Sequence, residues 1–89
     1  MKTGIELISD ERKRQIEIEG WSQEHDNQHN VEEFEWAAIA YIVSNINKND
    51  AKECWPWGKE WFKPKDLKSN LIRAGALIAA ALDRIQTEE

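Results

Sequence analysis

Both histidines of the chain stand in EHDNQH, residues 24–29, beside Glu24 and Asp26, and Glu33 follows four positions after His29. Imidazoles and carboxylates gathered this closely are the donor set of a divalent cation. Mn²⁺ or Zn²⁺ suits a set with nitrogen donors, and Mg²⁺ or Mn²⁺ around phosphate suits one rich in oxygen. On a continuous helix, His25, His29 and Glu33 fall at i, i+4 and i+8 and share a face with one another. Asn30 pulls the other way. NVEE carries a capping residue with a glutamate three positions on, and a helix that begins at Asn30 cannot already run through it. Three roles fit the cluster: a metal bridging to phosphate, a transition-metal site, or a solvated polar connection whose histidines bond neighbouring acids and backbone.

Two further groups carry chemistry. Glu32, Glu33 and Glu35 follow directly, and carboxylates of this kind can hold a metal against phosphate and orient a water. Acids in a first helical turn also simply favour the helix dipole. The second group is WPWGKEWFKPKD, residues 55–66. Indole faces stack on nucleobases, and lysines reach phosphates. Lys63 and Lys65 flank Pro64 just before Asp66, where a helix N-terminus would add its own attraction for anions. The same tryptophans serve equally well as the cap of a small core. The charge run ERKR at 11–14 has the pattern of a solvated face. Cys54 has no base beside it in the sequence to activate a thiol.

The elements that must position these groups are helical. Ile5, Ile8, Arg12 and Ile16 mark one stripe of a first helix over Gly4–Glu19, with Gly20 as its stop. A second helix starts at Asn30, buries Phe34, Ala37, Ala38, Tyr41 and Ile42, and ends in the turn formers NINKND, Asn45–Asp50. Pro56, Gly58 and Pro64 interrupt residues 51–65, which are expected to form an ordered aromatic loop with at most a short helical turn. A third helix runs from about Asp66, its N-cap, to Gln86. Leu67, Leu71, Ala74, Ile78, Ala81, Leu82 and Ile85 are its expected buried stripe. No strand pattern or internal repeat is present, so the expected fold is all-α, three main helices in a single domain spanning residues 1–89.

Totals narrow the function. The 89 residues carry 12 basic and 17 acidic side chains, a net charge of −5, which argues against general nucleic-acid binding. One cysteine excludes an internal disulfide and a cysteine-based zinc site. The N-terminus lacks an apolar run of signal-peptide length, and Leu71–Ile85 contains Arg73 and Asp83 and is too short to span a bilayer. A cytoplasmic protein without membrane contact is expected. A chain this small buries only roughly 60–65% of its unfolded surface, which favours self-association. Five tryptophans are an unusual number, and Trp55, Trp57 and Trp61 fall within one short stretch.

The segments ISDERKRQIEIEGWSQEHDNQH, WPWGKEWFKPKD and NLIRAGALIAAALDRI, in the order EGW, EHD, WPW, KPKD and AGAL, resemble small phage and prophage proteins grouped with the MazG-like all-α nucleotide pyrophosphohydrolases. The resemblance covers nearly the whole chain. It implies cleavage of a nucleoside triphosphate to monophosphate and pyrophosphate, Mg²⁺ or Mn²⁺ held by acids on two helices, and a dimer or larger homo-oligomer. Glu32 and Glu35 match the ExxE of that pattern. The third helix departs from it, offering Asp66 and Asp83 with no ExxD between. Combined with the residue chemistry, the expected catalytic groups are Glu33, Asp26 and Asp66, and the expected metal ligands His25, Asp26, His29 and Glu33. Trp21, Trp55, Trp57, Lys63, Lys65 and Arg73 are the expected contacts to the nucleotide. The alternative is a non-catalytic phage accessory or anti-defence protein that binds a nucleotide or a protein.

Overall fold

The computed structural model describes residues 1–20 and 29–88. Among these, the chain is all-helical: α1 (Gly4–Glu17), α2 (Val31–Ser44), α3 (Lys48–Cys54), a 3₁₀ turn (Lys59–Trp61) and α4 (Leu67–Glu88), with no strand. This is one helix more than the hydrophobic spacing predicts. No helix among the described residues is long and apolar enough to cross a membrane.

Side-chain caps set the starts. Thr3 and Glu6 form a reciprocal capping box at α1, and Asn30 and Glu33 form another at α2. Each satisfies backbone N–H groups that the first helical turn leaves without partners. Asn30 is extended, with φ −87° and ψ 164°. That settles the conflict in the sequence: no helix runs through Asn30, and the proposed His25–His29–Glu33 face is broken there. α1 stops at Glu17, earlier than expected. Gly20, at φ +74°, turns the chain three residues further on, in a conformation other residues adopt only with strain.

α3 corrects the expectation of a turn followed by a loop. Asn47 accepts hydrogen bonds from the backbone N–H groups of Asn49 and Asp50 and so acts as an N-cap. Its turn-forming character therefore starts a helix here as well as marking the end of α2. Pro56 ends that helix, holding Trp55 extended at φ −67° and ψ 120°.

α2 is the central element, packed against α4 and α3, while α1 lies on α4. Phe34, Ala37, Ala38 and Tyr41 are buried as expected, joined by Ala40, but Ile42 is exposed because it lies on the side of Ile39 and Ile46. Above α2 the aromatic segment closes the core: Trp55 and Phe62 stack with centroids 4.9 Å apart, and Tyr41 meets Trp55 edge-on at 5.6 Å. The Trp55 indole donates to the Gly58 carbonyl at 2.9 Å.

Two expected stripes are corrected. On α4 the buried positions are Asn70, Ala74, Ala76, Leu77, Ala80 and Ala81, whereas Leu67, Leu71, Ile78, Leu82 and Ile85 are exposed. Small residues face the neighbours because the helices approach closely. At Gly75 an added Cβ would lie 2.5 Å from Cδ1 of Ile8. The five large aliphatics form their own stripe at spacings 4, 7, 4 and 3 along α4. On α1, Ile5 and Ile16 are exposed, Ile8 and Arg12 are half-buried, and the buried residue is Gln15.

Candidate functional site

Residues 62–66 connect the 3₁₀ turn to α4, starting extended at Phe62 with φ −90° and ψ 108°, and successive side chains of an extended segment point to opposite sides. Trp61, Lys63 and Lys65 line one hollow, while Phe62 and Pro64 line another. The first is a polar cleft of about 230 Å³. α1 contributes Glu11, Arg14 and Gln15 to it, the turn just after α1 contributes Glu19, α2 contributes Tyr41, and α4 contributes Arg73.

Charge in this cleft is unevenly spent. The Arg14 guanidinium reaches Glu11 through two bonds of 2.7 and 2.8 Å and Glu19 through a third of 2.8 Å. These contacts, the one to Glu11 foremost, raise its already high pKa despite partial burial. Lys63, Lys65 and Arg73 form no ion pair with any carboxylate among the described residues. Among the described residues, a chain with net charge −5 thus carries a local surplus of two positive charges in this cleft, since Arg14 offsets only one of Glu11 and Glu19.

The wall is pinned from behind. The Lys63 N–H donates to the Tyr41 hydroxyl oxygen at 3.3 Å, and Arg73 donates to the Lys63 carbonyl. Arg73 also lies over the Tyr41 ring at 5.9 Å, a cation–π distance. Asn70 holds Lys65 from both sides, accepting from its N–H at 2.7 Å and donating to its carbonyl at 3.1 Å, and donates to Asn45 Oδ1 at 2.9 Å. Burial pushes the Tyr41 phenol up, against the opposing pull of the Lys63 N–H and Arg73. At neutral pH it is therefore a hydroxyl, able to donate to a ligand oxygen.

Gln15 is the unexpected member. It is 2% exposed, and its Oε1 has no hydrogen-bond partner among the described residues. Its amide nitrogen meets Glu11 at 3.4 Å. A buried acceptor left unbonded costs about 1–3 kcal/mol, so a donor supplied by a ligand in the cleft would recover that cost.

The other expected groups assemble elsewhere. Glu33 accepts from the Asn30 N–H at 2.7 Å, and its second oxygen lies 3.4 Å from both the His29 ring and the Trp57 indole nitrogen. His29 and Trp57 rings are 5.2 Å apart. The histidine-acid turn and the aromatic loop do meet, but through Trp57, and none of these three side chains lines the lysine cleft. Tyr41, where the cleft touches α2, is eight residues beyond Glu33, about 12 Å along the helix.

Trp55, 8% exposed, belongs to the core. Asp66 accepts from the Ser69 N–H at 2.9 Å, capping α4. Glu32 and Glu35 are exposed on α2, with Glu32 accepting from the Trp36 indole at 3.3 Å. His25, Asp26 and Trp21 lie outside the described residues. Among the described residues no three histidine, cysteine or acidic side chains converge on a point suited to a cation. Since both Glu33 oxygens are also engaged, the described part of the expected Mg²⁺ or Mn²⁺ set does not by itself fit a metal.

No hydrophobic spacing marks the cleft's far wall, which is Glu11 and Gln15 of α1 with Glu19 just beyond its end. The ERKR run conceals it, since Arg12 and Arg14 are half-buried and Arg14 is committed to Glu11 and Glu19. Arg12 reaches Asp83 of α4 at 3.7 Å.

Glu33 makes a pH prediction. Burial opposes its ionisation, but the Asn30 N–H, His29 and Trp57 outweigh it and hold its carboxyl below the ordinary range. The stability it contributes is complete above the unfolded value, about pH 4.3, and is lost as pH falls through the lower folded value. Glu33→Gln keeps an acceptor for the Asn30 N–H but loses the charge, so it is expected to cost about 0.3–1 kcal/mol at pH 7, the worth of a negative charge in a first helical turn. In urea unfolding, the gap between the two proteins should narrow progressively as pH falls below about 4.3.

No family model, curated protein or solved structure matches the chain.

Proposed function

We propose that the chain is a nucleotide-binding protein of MazG-like kind, taking a phosphate-bearing ligand in the cleft between α1, α2, α4 and residues 61–65. The observation that carries this is the pairing of a net positive lining, with Lys63, Lys65 and Arg73 in no ion pair among the described residues, with the buried Gln15 oxygen that none of those residues bonds. Lys63, Lys65 and Arg73 meet phosphate oxygens, with Tyr41 donating a further hydrogen bond. Gln15 accepts from a sugar hydroxyl or a base N–H. The half-exposed Trp61 offers a ring face to the base. The cleft is below the usual range of small-ligand pockets, so it takes the phosphate and sugar and leaves the base along Trp61. The sequence resemblance supports the same ligand class and a cytoplasmic setting.

A second copy of the chain is part of this reading. The α4 stripe of Leu67, Leu71, Ile78, Leu82 and Ile85 is the surface on which the copies pack, as a small domain with spare apolar surface requires. Hydrolysis to monophosphate and pyrophosphate is the second reading. What favours it is the contact of the His29–Glu33 pair with Trp57, which places that pair beside the aromatic segment. Such an activity would need Mg²⁺ or Mn²⁺ and would draw on His25 and Asp26.

The test is calorimetric titration with each dNTP, with and without Mn²⁺, paired with an assay for released pyrophosphate. Saturable binding is expected, with stabilisation of about 2.7 kcal/mol at a hundredfold excess over Kd. Lys65→Glu should weaken it by about tenfold or more, since one charge-assisted contact is worth at least 1.4 kcal/mol. Pyrophosphate release with Mn²⁺ selects the hydrolytic reading, and binding without release selects the binding protein. Absence of binding to any nucleotide overturns both.

A further inference from the structure

We propose that a second cavity, behind the same extended segment, is a binding site for a planar aromatic anion. It has a volume of about 440 Å³, within the range of small-molecule pockets. Its floor is Trp55, Phe62 and Pro64. The Trp55 and Phe62 rings stack with centroids 4.9 Å apart and an inclination of 26°, so the faces they turn to each other are covered and a flat ring would extend the stack on its outer face.

The rim has the opposite character. Lys48 and Lys52 of α3, together with Lys59 of the 3₁₀ turn, line this cavity, and no acidic residue among the described ones does. Lys48 and Lys52 are one helical turn apart and share a side of α3, whereas Asp50 is about 160–200° round from them. None of the three lysines makes an ion pair with a carboxylate among the described residues. Their alkyl stems extend the apolar wall while the ammonium groups stand at its mouth. Asn49 adds a neutral amide. The Ser44 hydroxyl already donates to the Ala40 carbonyl at 2.9 Å, so its proton is spent and the lysines are left as the charged donors to an anion. An apolar slab beneath three unspent positive charges selects a ring bearing a carboxylate, sulfonate or phosphate.

The site is separate from the polar cleft because residues 62 and 64 face it while 61, 63 and 65 face the cleft. The experiment titrates ¹⁵N-labelled protein with naphthalene-2-sulfonate. The neutral 2-naphthalenemethanol serves as one control and ring-less pyrophosphate as the other. Saturable shifts are expected at the Trp55 indole N–H and at the Ser44 and Lys52 amides. The neutral analogue should bind at least fivefold more weakly, and pyrophosphate should leave the Trp55 indole unmoved.

Lys48→Glu with Lys52→Glu should weaken the sulfonate more than tenfold, and Lys48→Gln with Lys52→Gln should do so to a smaller degree. Both lysines are exposed, and circular dichroism verifies the fold of each variant. No saturable shift at these positions, equal binding of the neutral ring, or charge reversal without effect each overturns the proposal. Failure of nucleotide binding in the cleft leaves it standing.

Discussion

Asn70→Ala is expected to destabilise the protein by on the order of 3 kcal/mol and to abolish ligand binding in the cleft. Asn70 is 1% exposed and makes three hydrogen bonds, two of them to the backbone of Lys65. Alanine leaves the Lys65 N–H and carbonyl without their partner and opens a void at the start of α4. The Lys63–Lys65 segment would then be held only by Tyr41 and Arg73, so the cations would lose their fixed geometry. Asn45→Ala removes one of the three bonds and should cost about 1 kcal/mol while sparing the cleft. Urea unfolding with parallel nucleotide titration of both variants distinguishes these effects. Equal stability and affinity in the Asn70 variant would show that the wall is positioned by something else.

Leu77→Ala is the second large effect, expected at about 2–5 kcal/mol. Leu77 is fully buried and belongs to the same apolar cluster as Phe34, Ala37, Ala38 and Tyr41. A chain of this size holds roughly 5–13 kcal/mol in total, so the variant should be partly unfolded at 37 °C. Leu82 is the contrast: same helix, same residue type, 57% exposed. In a monomer, Leu82→Ala should change stability by less than about 0.5 kcal/mol. If a second copy covers the α4 stripe, the same change should instead lower the association constant, read by sedimentation across a range of concentrations. Equal losses at Leu77 and Leu82 at all concentrations would mean that the buried and exposed faces of α4 are wrongly assigned.

Those two leucines also show where sequence patterning succeeds and stops. Helix starts were legible because capping is local: Asn30 with Glu33, and Asp66 with Ser69, are complete within four residues. The buried face of α2 was legible at Phe34, Ala37, Ala38 and Tyr41 but not at Ile42, which belongs to a second, exposed apolar side with Trp36 and Ile39. α4 has two candidate stripes, one of small residues and one of large. Periodicity cannot choose between them, because the choice depends on how closely α1 and α2 approach.

α3 was hidden by composition: asparagine marks turns and caps alike, and only the backbone N–H groups it bonds decide which. Within the cleft, Lys63, Lys65 and Arg73 were named from their chemistry, and the fold gathers them. Gln15 was out of reach, since a buried polar side chain leaves no trace in hydrophobic spacing. The contact of Trp57 with Glu33, 24 residues apart, is tertiary, and neither local segment announces it.

The most direct test of the central claim is an amide chemical-shift map of the protein titrated with a slowly hydrolysed dNTP analogue. The account predicts saturable shifts concentrated at Gln15, Tyr41, Lys63, Lys65 and Arg73, together with the Gln15 side-chain amide and the Trp61 indole. Saturable shifts confined to other surfaces, or none at millimolar analogue, would contradict it.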